Sequence, residues 1–421
     1  MKKNSFYVLA SACLIFGASC KKQNDPAFDK LKLNNSAIAF TPVTEPITTR
    51  TIGPANMSNI LSSDGVAPTI DNSQAWFNFT SANPAAASKR ESWHLGFWNG
   101  NDMNRIILNY SVTTQASLIN GVSSLNAART NTAQMESAYN LINGGSMGMG
   151  DMSTFDFHRE GQFVIGSPVA TNKVYLIKTP PVQMHPDTVG GAPISVTYWL
   201  ASLAYSGTAY NVNYQAVTRN ASGTWNFASS TSTPVSIAKT ANYQYQFIKF
   251  GTPGLATVQP QQSEWNLGLS AVTLKRYMSS GDSYPFALKG LVLNNNPGVS
   301  VYRVQTTGST AGAPGPYDLN YTWSNDPALN ASNSIESQFA SFSSGNIDNT
   351  KFSSTSQEEI GQYWRNLDMG NYKIFVDRFY VIKLPNGDVY KFKFENLSPT
   401  STSNAVNSGI KFKYAKIATT P

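Results

Sequence analysis

Trp93-His94-Leu95-Gly96-Phe97 and Trp265-Asn266-Leu267-Gly268-Leu269 are one phrase used twice, and its reading decides the fold. In an extended segment successive side chains alternate faces, so Trp, Leu and Phe or Leu share one side while Gly falls on the other. That is the pattern of a half-buried strand. One such strand is ordinary core packing; a second copy predicts a duplicated architecture.

Outward from the phrase, other pieces recur in the same order. Ala75-Trp76-Phe77-Asn78-Phe79 precedes the first copy and Tyr243-Gln244-Tyr245-Gln246-Phe247-Ile248 the second. Downstream, Arg105-Ile106-Ile107-Leu108-Asn109 matches Lys289-Gly290-Leu291-Val292-Leu293-Asn294, and Gly121-Val122-Ser123 matches Gly298-Val299-Ser300. Residues 172–178 match 377–383, and 208–214 match 408–414. Such an ordered set signals an internal repeat. The separation between copies lengthens between Gly298 and Asp377, which predicts a long loop over the Ser-, Asn-, Gly- and Pro-rich residues 305–350.

Composition agrees with a β-rich, ordered chain. The 421 residues suit two domains of roughly 150 to 200 residues. Hydrophobic residues make up 41%, enough for two cores, and 12% aromatics exclude a disordered chain. Only 13% are charged, while Ser, Thr, Asn, Gly and Tyr are abundant, as in secreted β proteins. The net charge of +7 is spread singly, without the basic stripe that tracks phosphates, so nucleic acid is not a predicted partner. Pro385-Asn386-Gly387-Asp388 lies between two alternating runs, 379–384 and 389–394, and predicts a hairpin with a type I′ turn. Helical signal is confined to 132–141 and 357–367. The fold class is therefore mainly β, as two tandem antiparallel domains.

Both cysteines lie at the start. Cys13 sits in an apolar run that follows Lys2-Lys3 and is too short to span a bilayer, so residues 1–19 read as a signal peptide. The run ends in Gly17-Ala18-Ser19-Cys20, which resembles the lipobox of bacterial lipoproteins, with Gly17 in place of the usual Leu. The alternative is an ordinary signal peptide cleaved near Ala18. A lipidated Cys20 has no thiol left for a disulfide, a metal or nucleophilic catalysis, and its acyl chains, palmitate among them, hold the protein on a membrane. Lys21 and Lys22 with no adjacent Asp suit the outer membrane, facing the periplasm or the cell surface. The expected organisation is a signal peptide at 1–19, a lipid-anchored tether at 20–55, a first domain at 56–220, a linker at 221–240 and a second domain at 241–421.

The ordered set of anchor cysteine, aromatic strand, Trp-x-Leu-x-Phe, Asn-containing strand, Phe379-Tyr380-Val381-Ile382-Lys383, Asn-Gly turn, Tyr390-Lys391-Phe392-Lys393-Phe394 and Gly409-Ile410-Lys411-Phe412-Lys413-Tyr414 resembles the HmuY family of Bacteroidetes lipoproteins. The fit is best over 243–417 and looser over 76–217. The resemblance implies an antiparallel β domain, here in two copies, that captures haem and delivers it to a TonB-dependent outer-membrane receptor. Some members ligate the iron with two histidines, some use methionine, and others have no evident pair.

The three histidines, His94, His158 and His185, all precede the second copy. A neutral imidazole is a good iron ligand. His94 faces away from Trp93 and Leu95, which predicts an exposed or edge position. His158 follows Phe155-Asp156-Phe157, in a region comparable to where the family places ligands, and reads either as a ligand or as an ordinary polar residue. His185 lies in a proline-bounded loop. Met147, Met149 and Met152 alternate with glycines, so the loop either closes on a porphyrin or fills gaps against the core. His158, Met147, Met149 and Met152 are the candidate haem-binding residues; no other metal is expected. The motifs of metalloproteases, serine hydrolases and phosphate-binding loops are absent, and Glu358-Glu359 reads as a solvated helical turn, so no catalysis is expected. The competing reading is a surface lipoprotein for a glycan or another nutrient, with Trp98, Trp323 and Trp364 as stacking platforms or as core, or a purely structural lipoprotein.

Overall fold

Runs that alternate two apolar sets need a cover on each side, and the strands of this chain find two different covers. The computed structural model describes residues 40–52, 60–61, 70–71, 73–81, 87–145, 148–179, 188–189, 192–193, 196–227, 233–277, 282–296, 298–305, 335–361, 364–368, 371–375, 378–398 and 409–420. The signal peptide, Cys13, Cys20, Met147, His185 and Trp323 lie outside the described residues. The elements used below are β1 (Thr48–Ile52), β2 (Ser73–Phe77), β3 (Leu95–Trp98), β4 (Ile106–Leu108), β5 (Gln115–Leu118), α1 (Leu125–Thr130), α2 (Thr132–Asn143), β6 (Lys173–Thr179), β7 (Thr197–Tyr205) and β8 (Ala209–Arg219). They continue with β9 (Tyr245–Ile248), β10 (Leu267–Tyr277), β11 (Ser283–Leu293), β12 (Ser300–Gln305), α3 (Ile335–Ser341), β13 (Arg378–Lys383), β14 (Asp388–Ser398) and β15 (Gly409–Thr419).

Two large antiparallel sheets carry the fold, one with the strand order β8, β7, β6, β5 and the other β15, β14, β13, β12. In β6, Val174 and Leu176 pack under α1 and α2, while Tyr175 and Ile177 face Leu95, Phe97 and Ile248. In β14, Val389 lies on the side of α3, while Tyr390, Phe392 and Phe394 face Phe77, Phe79 and Leu267. Lys391 shares the helix side, where its ammonium takes Ala340 O at 3.0 Å and Phe342 O at 2.9 Å, closing the carbonyl end of α3. The registers agree between sheets: Tyr175 pairs with Ala201 and Ala201 with Tyr214, just as Tyr380 pairs with Phe392 and Phe392 with Tyr414.

Between the sheets lie two smaller ones, and here the chain crosses itself. Strand β2 hydrogen-bonds to β10, with Phe77 opposite Leu267 and Trp76 opposite Gly268. Strand β9 hydrogen-bonds to β3, with Ile248 opposite Leu95 and Phe247 opposite Gly96. Backbone pairing thus runs both ways across residues 221–240. A Cβ at Gly96 would sit 3.0 Å from the Phe247 ring, and one at Gly268 would sit 2.4 Å from Trp76, so each glycine makes room for a ring from the crossing strand. The two small sheets meet in one aromatic cluster that includes Trp76, Trp93, Trp98, Tyr110, Phe247 and Trp265. Trp76 on Trp265 and Trp93 on Phe247 are edge-to-face pairs at 4.8 Å, each worth about 0.5–1.5 kcal/mol beyond burial.

Several expectations change. The tryptophan of each phrase precedes its strand and joins this shared cluster, while Leu95, Phe97, Leu267 and Leu269 enter the separate cores. Gly121 lies in a turn after β5, whereas Gly298 precedes β12; the residue at the place of Gly298 is Thr113, and both have positive φ, 55° and 98°. Residues 357–361 form no helix, because Gln357 O and Gly361 are engaged by Leu293 and Leu291 of β11. The segment runs on into a strand at Arg365–Asp368. In contrast, the helix expected at 132–141 is α2. Residues 48–52, part of the expected tether, form β1 along β15, an edge that β-branched threonine favours. The hairpin between β13 and β14 is present, but its turn has positive φ only at Gly387; Leu384 O accepts from Gly387 N–H, which makes a type I turn with a left-handed glycine rather than type I′.

Candidate functional site

The matching backbone places polar side chains in matching roles. His94 leads into β3; its N–H donates to Ile248 O at 2.8 Å and its ring Nδ1 accepts from Phe250 N–H at 3.0 Å. Asn266 leads into β10 and does the same, donating to Phe77 O at 2.7 Å and accepting from Phe79 N–H on Oδ1 at 2.9 Å. Asn109 and Asn294 then lock the two phrases, donating to Trp93 O at 2.6 Å and Trp265 O at 2.9 Å. An accepting Nδ1 leaves the His94 proton on Nε2, so the neutral ring has no spare lone pair. The ring is half-buried against Phe250 and Trp199, not at an exposed edge, and burial with the Lys249 charge pushes its pKa down to about 3.

His158 is in the interior. Its ring packs on Tyr110 and Phe163, and Gln357 Nε2 donates to Nδ1 at 2.8 Å. Nε2 has no hydrogen-bond partner and lies 3.9 Å from Asp156 Oδ2, while Glu358 Oε1 is 4.0 Å from Nδ1. Asp156 accepts from Leu108 N–H at 2.7 Å and Val164 N–H at 2.8 Å. Burial holds all three groups near neutrality: His158 is pushed down to about 3, Asp156 up to about 7 and Glu358 up to about 8. Glu358, expected on a solvated turn, is only 1% exposed. Arg159 Nη1 donates to Glu359 O at 3.2 Å, so this buried polar knot ties residues 156–160 to 357–359. Among the described residues no group of His, Cys, Asp and Glu is arranged to hold a metal ion.

The glycine-methionine loop closes the end of α2. Gly150 N–H donates to Gly144 O at 2.7 Å and Asp151 N–H to Leu141 O at 2.8 Å. Buried Gln115 Nε2 reaches Ile142 O at 2.8 Å, Met149 O at 3.2 Å and Thr154 Oγ1 at 3.1 Å. A Cβ on Gly150 would sit 2.0 Å from that amide, which explains the glycine. Met149 is buried here and Met152 is half-buried, its carbonyl accepting from Gln162 Nε2 at 2.6 Å. The described partners of the His158 ring are Gln357, Tyr110 and Phe163 rather than either methionine. Trp98 and Trp364 are core residues.

Sequence reasoning missed Asp156, Gln357 and Glu358, although a carboxylate and an imidazole set in Phe155-Asp156-Phe157-His158 were a readable sign of buried polarity. It also missed a cleft of about 470 Å³ where the crossing strands leave their sheets. Its walls are Asn78 and Thr80 after β2, Ala241 and Asn242 before β9, the turn 261–263 with Asn266, and Leu384–Asn386 of the hairpin.

The profile of the HmuY protein family matches residues 71–414, a single span that includes both copies of the phrase, the crossing strands β2, β3, β9 and β10, and most of both large sheets. The chain belongs to the HmuY family. No curated protein and no solved structure matches it. Two polar features of this HmuY-family chain thus stand out, the buried knot packed against Tyr110 and Phe163 and the cleft at the strand crossing.

Proposed function

We propose that the chain is a non-catalytic lipoprotein, anchored in the outer membrane through Cys20, that captures haem or a related ligand and passes it to a TonB-dependent receptor. The family match over residues 71–414 carries this reading, since HmuY proteins are a haem-binding, non-enzymatic family. The chain is read as two related units, near 56–220 and 241–421, each lending a strand to the other. Among the described residues no helix is long and apolar enough to cross a membrane. Partition of the native protein into the aqueous phase of a detergent separation would remove the lipid anchor from the reading.

The described histidines do not fit an axial pair. His94 Nδ1 is taken by Phe250 N–H, and His158 is enclosed by Tyr110, Phe163 and Gln357. The role of His94 is that of Asn266, an acceptor that fixes the chain leaving the crossing strand. Haemin added to protein lacking residues 1–20 is therefore expected to give a saturable Soret shift that His94→Asn leaves unchanged. A shift altered by that substitution would assign the iron to His94, and no saturable shift under oxidising or reducing conditions would sink the haem reading. The second reading, capture of a hydrophilic nutrient, is favoured by the uncharged polar cleft.

A further inference from the structure

We infer that the cleft at the strand crossing is a binding site for a small, neutral, hydroxyl-rich molecule of mono- or disaccharide size. The site is independent of haem capture and exists only because the strands cross. Asn78 and Thr80 follow β2 as it leaves the second large core, Ala241 and Asn242 lead into β9, and the hairpin residues Leu384, Pro385 and Asn386 close the third side. A volume of about 470 Å³ lies in the range of small-molecule sites.

The lining selects by exclusion. It contains no acid, base, histidine, cysteine, methionine or aromatic residue, and is instead built of side-chain amides and hydroxyls with a few aliphatic contacts. An ion entering would lose its hydration without meeting a counter-charge. A porphyrin would find neither an axial ligand nor a cation for its carboxylates. An apolar molecule would cover the amides and leave them unpaired. A molecule that carries many neutral donors and acceptors meets none of these costs.

The amides are also held in place before a ligand arrives. Asn78 donates to Ser263 O at 3.2 Å and accepts from Thr80 N–H at 2.9 Å and Thr80 Oγ1 at 2.8 Å. Gln262 Nε2 donates to Ala241 O at 2.6 Å, and Asn386 bridges the N–H and carboxylate of Asp388 at 3.1 Å each. Glu264, next to the turn, spends a carboxylate oxygen on Gln261 N–H at 3.2 Å. Fixed donors and acceptors lower the ordering cost of binding. Asn242 and Ser263 stand in the wall as exposed side chains, and among the described residues neither side chain has a protein hydrogen-bond partner, so both can turn to a ligand.

Saturation-transfer NMR on the full chain in a zwitterionic detergent tests this with maltose, cellobiose and lactose as probes and with glucuronate and trialanine as comparators. Saturable transfer to at least one neutral disaccharide, and to neither comparator, is expected. Asn242→Ala and Ser263→Ala are each expected to weaken it about fivefold, the loss of one neutral hydrogen bond, with unchanged thermal unfolding. Transfer to none of the disaccharides, preference for glucuronate or trialanine, or indifference to both substitutions overturns the assignment. Haemin binding by the same two variants is expected to equal that of the parent, which keeps the outcome separate from the haem reading.

Discussion

Replacing Glu358 by glutamine is expected to stabilise the protein, by an amount that grows with pH. Glu358 is 1% exposed, its Oε1 has no hydrogen-bond partner, and Asp156 and His158 share its enclosure. Burial first, and the Asp156 charge after it, raise its pKa from 4.5 to about 8. For an acid whose folded pKa lies above its unfolded value, the unfolded chain gives up the proton first. The stabilising contribution is complete below about pH 4.5 and is lost as pH rises through about 8. Between those limits the slope is about 1.4 kcal/mol per pH unit for one proton, so near pH 7 the acid costs about 3 kcal/mol relative to a side chain that does not titrate. Asp156 acts in the same direction from 3.8 to about 7, while His158, lowered to about 3, weakens the fold as pH falls below 6.5. Asp156 and His158 remain in the variant, so the difference between the two proteins reports Glu358 together with its coupling to Asp156. Urea unfolding at several values between about pH 5 and about pH 8 should show a gap in favour of Glu358→Gln that widens by about 1.4 kcal/mol per unit. A gap that stays flat with pH, or a variant weaker than the parent at the alkaline end, would refute the reasoning.

Gly268→Ala places a Cβ 2.4 Å from Trp76 Cζ3 and 2.8 Å from Val292 Cγ2, and the displaced ring should cost about 1–3 kcal/mol in denaturant unfolding; a loss below about 0.5 kcal/mol would show that β2 yields easily. Residues 241–421 expressed alone lack β2, leaving Leu267-Gly268-Leu269 paired only with β11 and open on its other edge, and the Phe412 cluster without Phe77 and Phe79. That half is expected to show no cooperative unfolding by circular dichroism until a peptide covering 71–81 is added. Cooperative unfolding of the half by itself would mean that the crossing strand is dispensable.

Much of the fold was legible because it is local. The alternation in 389–394, the Pro385-Asn386-Gly387 turn and the apolar spacing of α2 need only their own neighbours to be read. The turn type was misread because Asn-Gly is compatible with two geometries, and Pro385 ahead of it sets the backbone for type I. The helix expected after Gln357 failed for a non-local reason: its backbone groups are claimed by Leu291 and Leu293. The candidate site was legible only in part. His158 stood out by residue type, but its enclosure depends on Gln357 and Glu358, about two hundred residues further along.

By itself the sequence determined a mainly β chain with one phrase repeated, the residues that alternate in each strand, and the family. Tertiary structure decided which strand each phrase would meet. Ala75-Trp76-Phe77 and Tyr245-Gln246-Phe247 are equally good strands beside either phrase, since ladder hydrogen bonds are made by main-chain groups that every residue carries. The choice rests on ring-shaped spaces over Gly96 and Gly268 and on the shared tryptophan cluster, which exist only after both halves have come together. The neutral cleft at the crossing follows from that choice, and so does the burial of Glu358.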